Sequence, residues 1–168
     1  MNTDQLLKIP FTWVNKGQIL KLLPHKTSVM FALFCAHQVK HLIPKEHQEV
    51  CLKAIEVAEL FLEGNSTKEE CVKAADAAIS AAYDADAAYA AYAADAAYAS
   101  AYAAYAAYDA AAYASYAAAY AANAANAAFY NNQETIKQEQ MNYLRDLIIV
   151  ELPEEDKSCC CWLLVASL

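Results

Sequence analysis

Four histidines, six cysteines and an acidic surplus are the raw material for chemistry in this 168-residue chain. His37 and His41 lie four residues apart, which on one helix can bring two imidazoles to one metal ion. His25 and His47 fall at neighbouring helix ends. No His-Glu-x-x-His pattern accompanies them, and a cation at His41 is favoured in its own right by the helix terminus it precedes. No metal is expected. Glu56 with Glu59, and Asp84 with Asp86, are the carboxylate pairs that could share a proton. Neither has a histidine or a glycine-rich loop beside it, so both read as solvated faces. Gly-x-Ser-x-Gly, a phosphate-binding loop and Gly-x-Gly-x-x-Gly are absent from the sequence, leaving a cofactor no anchor. The reading is a non-enzyme, with no catalytic residue, cofactor or metal.

What remains is recognition. "DAAYAAYAADAAYASAYAAYAAYDAAAYASYAAAYAANAAN", Asp86 to Asn126, is almost entirely alanine and tyrosine, and all but one of the twelve tyrosines fall between Tyr83 and Tyr130. Tyrosine gives large, rigid contact area at low entropy cost, and the interspersed aspartates favour a cationic partner. The candidate contact set is Tyr83, Asp86, Tyr89, Tyr92, Asp95, Tyr98, Tyr102, Tyr105, Tyr108, Asp109, Tyr113, Tyr116 and Tyr120. The competing reading is packing: alanine lets two helices approach closely and tyrosine rings fill the gaps.

The elements that carry these residues must be helices. Between Gly64 and Pro153 there is neither glycine nor proline, and alanine is the best helix former. A step of three falls about 60° short of a full helical turn, so the tyrosines are expected to spiral rather than form one stripe. Unbroken, residues 67–130 would run about 95 Å, too long for one compact domain. Breaks are expected near Ser100 and again near Asp109 to Ser115. The segment then either sits centrally among other helices or divides into helices whose tyrosine sides converge.

The rest of the chain supplies the frame. Residues 1–26 are irregular with a short helix or two, anchored in the core by Phe11 and Trp13. Residues 27–64 read as a helical hairpin. Thr27 or Ser28 caps its first helix, through about Ile43, with Met30, Leu33, Phe34, His37 and His41 inward. Pro44 opens the second, with Val50, Ala54, Val57, Ala58, Phe61 and Leu62 inward and Gly64 as left-handed terminator. "STKEE" offers a capping box, Thr67 with Glu70 or Ser66 with Glu69, at the start of the repeat over 66–130. Asn131 and Asn132 mark the next boundary. Residues 131–168 hold a final helix ending before Pro153 and a tail, "CCCWLLVASL", read as a greasy closing segment. Acylation or partner docking of Cys159, Cys160 and Cys161 is the alternative. The whole is one all-α domain, a compact bundle of about five to seven helices.

A formal charge of −8 disfavours nucleic acid and anionic membranes as partners. No run of about 18 lipid-compatible residues occurs. The start shows no basic cluster with an apolar run behind it, so the cytoplasm is the expected location. Cys35, Cys51 and Cys71 lie in helical patterns, as small buried hydrophobes.

"SVMFALFCAHQVKHLIPKEHQEVCLKAIEVAELFLEGNSTKEECVKAADAAISAA" resembles the Imm-5-like immunity proteins of bacterial polymorphic-toxin systems. The matching features are Cys35-Ala36, Val39, Leu42 and Pro44 in one helix. Ala54-Ile55-Glu56, Ala58 and Gly64 follow in the next, then a larger residue at every third place from Ala74 onward. The resemblance covers roughly residues 28–130. This chain carries tyrosine where many members carry arginine, tryptophan or histidine. The resemblance implies an all-helical, non-enzymatic cytoplasmic protein that neutralises a toxin by binding it. The expected function is therefore an immunity-type inhibitor with a protein partner, a toxin of basic character, and self-association stays open. Two alternatives are a phage or bacterial anti-defence protein that sequesters a small molecule or nucleotide between tyrosine faces, and an ice-binding helical protein. The last lacks a flat threonine array.

Overall fold

The computed structural model describes residues 6, 9–87, 91–128 and 133–152, with side chains described at all of these except 86, 87, 91, 92, 110–112, 125–128 and 133. Among them every regular element is helical. A 3-10 turn at Trp13–Asn15 runs into α1 (Lys16–Leu20), followed by α2 (His25–Val39), a 3-10 turn (Lys40–Leu42) and α3 (Lys45–Leu62). Then come α4 (Lys68–Ala87), α5 (Ala91–Tyr105), α6 (Ala110–Ala128) and α7 (Gln133–Glu151). The all-α bundle expected from the sequence is the fold.

The helix ends are set by local chemistry. At the end of α3, Gly64 takes φ +80°, its N–H donates to the Phe61 carbonyl, and the Asn65 N–H reaches back to Leu60 at 2.8 Å. Those are the two bonds of a Schellman terminator, which needs a left-handed residue and so selects glycine. α4 opens on the Thr67–Glu70 capping box. The Glu70 N–H donates to Thr67 Oγ1 (3.2 Å) while the Thr67 N–H donates to Glu70 Oε2 (2.8 Å). The box satisfies two amides that helix geometry leaves free. Ser66 adds its hydroxyl to the same carboxylate at 2.9 Å rather than pairing with Glu69. Backbone donation fixes the charged form, holding Glu70 below the usual glutamate value.

α5 is the central helix. It packs against α4, α6, α2 and α3, and its alanines from Ala93 to Ala104 are buried almost without exception. Bulky core residues come from elsewhere: Phe31, Val29 and Val39 of α2, Ile19 and Leu20 of α1, Leu144 and Ile148 of α7. α4, α5 and α6 lie side by side as an alanine-rich layer, with α2 and α3 behind it. A methyl group buries little apolar area, so this core gains from backbone proximity and the dispersion contacts that proximity allows.

Several sequence expectations are corrected. Ser100 breaks nothing: it is buried in mid-α5, and its hydroxyl donates to the Ala96 carbonyl at 3.1 Å. That local bond satisfies a serine inside a helix. The second expected break, near Asp109 to Ser115, is present as a turn at residues 106–109, with Asp109 preceding α6 and accepting the Tyr113 amide through its carbonyl. Thr27 and Ser28 do not cap α2. Pro24 is the N-cap residue, ahead of His25, and its carbonyl accepts the Ser28 N–H at 3.2 Å. Both hydroxyls are buried, donating to Glu151 Oε1 (2.6 Å) and the Leu20 carbonyl (3.2 Å). α2 stops at Val39 rather than Ile43, giving way to the 3-10 turn. Its buried side is Val29, Phe31, Ala32, Leu33, Cys35, Ala36 and Val39. His41 faces solvent, His37 is half-exposed, and on α3 Val50 is exposed. Phe11 and Trp13 are half-buried packers at the rim of the core rather than its anchors. The Asn131–Asn132 boundary and the Cys159, Cys160 and Cys161 tail lie outside the described residues.

Candidate functional site

Of the two arrangements the spiral left open, the second holds over α5 and α6: the segment divides into helices whose tyrosine sides converge. On α5 the spacing Tyr98, Tyr102, Tyr105 is a four and then a three. On α6 Tyr113, Tyr116, Tyr120 is a three and then a four. A step of three rotates about −60° and a step of four about +40°, so each triple stays within roughly 60° of arc. The α5–α6 turn folds the two triples against each other.

The result is a continuous set of ring contacts across three helices. Tyr98 meets Tyr120 at 4.9 Å and Tyr102 meets Tyr120 at 5.2 Å between centroids, the second pair only 15° from parallel. Tyr102 also lies 5.4 Å from Tyr116 and 5.9 Å from Tyr113, and Tyr105 stacks on Tyr113 at 4.9 Å and 24°. At the α4 edge, Tyr83 meets Tyr98 edge-on at 5.9 Å and 88°. The contacts are stacked, tilted and, at Tyr83–Tyr98, edge-to-face; a favourable aromatic pair is worth on the order of 0.5–1.5 kcal/mol beyond burial.

The face is neither fully buried nor fully open. Tyr98, Tyr102, Tyr105, Tyr113 and Tyr120 are half-buried. Tyr83 and Tyr116 are 63% and 52% exposed, which leaves ring area for a partner at both margins. One set of rings thus packs three helices together and keeps open ring area at its margins. Tyr108, 66% exposed, stands apart in the α5–α6 turn with the exposed Asp109 beside it. Asp95 is half-buried, one step of three before Tyr98 on α5. The side chains of Asp86 and Tyr92, and all of Tyr89, lie outside the described residues.

Sequence reasoning missed Asp76 as a member of this face. It sits on α4 seven residues before Tyr83, on the same side of that helix, and its Oδ1 accepts a hydrogen bond from the Tyr105 hydroxyl. Burial first, then that bond and the neighbouring carboxylate charge, push the Tyr105 phenol well up. Tyr102 is raised by burial and by the phenol of Tyr120 beside it. The i, i+7 relation of Asp76 to Tyr83 was the available signal. With Asp84 exposed one residue beyond Tyr83, the α4 margin is acidic as well as aromatic.

The residues weighed for chemistry do not gather into one site, although Glu59 has beside it the histidine that the sequence reading did not expect there. His37 Nε2 lies 2.8 Å from Glu59 Oε1, and Glu56 pairs with Lys53 at 3.0 Å. The Glu56–Glu59 pair is therefore divided between separate partners. The helical register that would have joined His37 to His41 is lost at Val39. Among the described residues no three His, Cys, Asp or Glu side chains gather as a metal-ligand set. Cys35 and Cys51 are buried thiols, Cys35 pushed well up and Cys51 to about 11 by desolvation, which makes them poor nucleophiles. Elsewhere, the Trp13 indole lies under Lys16 Nζ at 4.1 Å with Lys137 Nζ at 6.0 Å. Burial holds Lys16 below the usual lysine value. No helix among the described residues is long and apolar enough to cross a membrane.

No protein-family model, curated protein or solved structure matches this chain.

Proposed function

We propose that this chain is a non-catalytic binding protein of the immunity type, which neutralises a toxin by covering it with the tyrosine face of α4, α5 and α6. The observation that carries the proposal is the contiguous set of seven rings, Tyr83 to Tyr120, bordered by Asp76 and Asp84. Rings held rigid by each other lose little entropy when a partner docks, which is why tyrosine dominates binding surfaces. Acidic margins on a chain of charge −8 suit a partner bearing arginine or lysine, whose cations can lie over exposed ring faces. The resemblance to Imm-5-like immunity proteins supports the same reading from residues 28–130.

The sequestering alternative is less well supported. A nucleotide base would have to enter between rings that already occupy one another's faces at 4.9 to 5.9 Å. The test is co-expression with toxins encoded beside this chain, scored by survival and by pull-down. Protection and capture are expected from one of them, and both should fall with Tyr83→Ala/Tyr116→Ala while the helical spectrum stays unchanged. Survival with no capture, or capture indifferent to the double change, would overturn the proposal.

A further inference from the structure

The same rings have a chemistry that partner binding does not use. Tyrosine is readily oxidised by one electron, provided its phenolic proton has somewhere to go as the electron leaves. At Tyr105 that acceptor is in place: the hydroxyl already donates to Asp76 Oδ1. Tyr105 also stacks on Tyr113 at 4.9 Å and 24°, across two helices joined by a short turn. The two exposed rings, Tyr83 and Tyr116, connect inward to this pair. Tyr116 lies 5.4 Å from Tyr102, which is 6.2 Å from Tyr105. Tyr83 reaches Tyr102 through Tyr98 and Tyr120 in contacts of 5.9, 4.9 and 5.2 Å.

We propose that the tyrosine face is an oxidation site at which a one-electron oxidant couples Tyr105 to Tyr113 as a dityrosine, stapling α5 to α6. The oxidant class is a ferryl haem of a peroxidase, or an equivalent high-potential metal complex, and two equivalents are consumed. The first takes an electron from an exposed ring, and the vacancy passes ring to ring until Tyr105 fills it, as the Tyr105 phenolic proton moves to Asp76. The second takes an electron from Tyr113, whose phenolic proton goes to water. The two phenoxyl radicals then join through the ring carbons ortho to oxygen. The two displaced ring hydrogens return as protons to the phenolic oxygens, restoring both aromatic rings. The net change is the loss of two electrons and two protons. The raised phenol of Tyr105 fits such a step, because burial disfavours a free phenolate and so couples proton loss to electron loss. Asp76 is exposed, so its protonation is relieved by exchange with solvent.

The inference is independent of the binding proposal, since it needs no partner. It is tested on the full chain with horseradish-type peroxidase and hydrogen peroxide, and separately with a photo-oxidised ruthenium polypyridyl complex. Readouts are dityrosine fluorescence, intact mass, and tandem mass spectrometry of chymotryptic fragments. Expected is an intramolecular product lighter by two hydrogen atoms, bridging fragments that contain Tyr105 and Tyr113. Tyr105→Phe or Tyr113→Phe should remove it, and Asp76→Asn, a surface change, should lower its yield. Tyr143→Phe serves as the control, because Tyr143 stacks on Phe34 outside this set, and should leave the yield intact. A bridge mapped to another pair such as Tyr98–Tyr120, a purely intermolecular product, a yield matched by the urea-unfolded chain, or an Asp76→Asn yield equal to that of the parent would each overturn it.

Discussion

Ala103→Leu probes whether α5 is truly enclosed, on which the alignment of the tyrosine face depends. Ala96, Ser100 and Ala103 recur at four and three, opposite the Tyr98–Tyr102–Tyr105 stripe by the helical angle. All three are fully buried, and α5 packs against α2 and α3 as well as α4 and α6. A leucine at 103 adds three carbons at a position with no solvent exposure. Overpacking of that kind costs typically 1–3 kcal/mol, and three added carbons in an alanine interface put the expectation at about 3 kcal/mol. For a domain of this size each kcal/mol moves Tm by roughly 2–4 °C, which gives a fall of about 6–12 °C. The control is Ala77→Leu, on the exposed side of α4 facing the hollow lined by Val57 and Leu60. There a leucine meets open space, and the change should stay within about 0.5 kcal/mol or be slightly stabilising. Thermal and urea unfolding followed by helical circular dichroism measures both, while the near-ultraviolet tyrosine signal reports the ring face. If Ala103→Leu is tolerated as well as Ala77→Leu, α5 is not enclosed and the reasoning fails.

Four further outcomes follow from the same structure. Gly64→Ala should cost about 1–2 kcal/mol, because φ is +80° with open space around the site, so the loss is conformational rather than steric; Gly64→Asn should cost less in the same urea titration. Thr67→Ala should cost about 1 kcal/mol by removing the cap. The depressed Glu70 carboxyl contributes stability above its ordinary value of 4.5, lost as pH falls through the lower folded value. Glu70→Gln should therefore flatten the acid limb of a Tm-against-pH curve relative to the parent. The Tyr105 phenol is raised above its ordinary value of 10.0, so its contribution is complete below that pH and is lost as pH climbs toward the folded value. Asp76→Asn should shift a spectrophotometric tyrosine titration to lower pH by removing the carboxylate that opposes the phenolate.

What could be read in advance divides along physical lines. Gly64, Pro44 and the Thr67–Glu70 box were legible because each acts on backbone groups within a few residues, and local chemistry decides a helix end. The all-helical class was legible because a long alanine run without glycine or proline has no competing local solution. Of the two expected interior breaks, the one at Ser100 was misplaced because a serine hydroxyl can turn back on its own helix, as it does to Ala96, so the residue type alone does not decide. The inward faces of α2 and α3 were misjudged at His37, His41 and Val50. Alanine and cysteine carry as much of the buried side as larger residues do, and large residues therefore do not mark the inward direction.

The tyrosine face was half legible, and the reason lies in its arithmetic. Counting rings predicts a spiral, because the commonest interval is three. The intervals that matter are the exceptions, Tyr98 to Tyr102 and Tyr116 to Tyr120, where an extra residue rotates the chain forward and cancels most of the drift. Those two steps fall in separate helices on either side of the turn at 106–109, which is why the corrected stripes meet. The unbroken run of threes, Tyr83 to Tyr98, crosses from α4 to α5, and of its three described rings or carboxylates on those helices only Tyr83 and Tyr98 touch by their rings. Alanine sets how near the helices come, the fours set where the rings point, and Asp76 joins because seven residues on α4 return it to the side of Tyr83. A surface of this kind is encoded in spacing rather than in composition. A chain with the same tyrosine count and uniform threes would have alanine helices as close together and no continuous face to present.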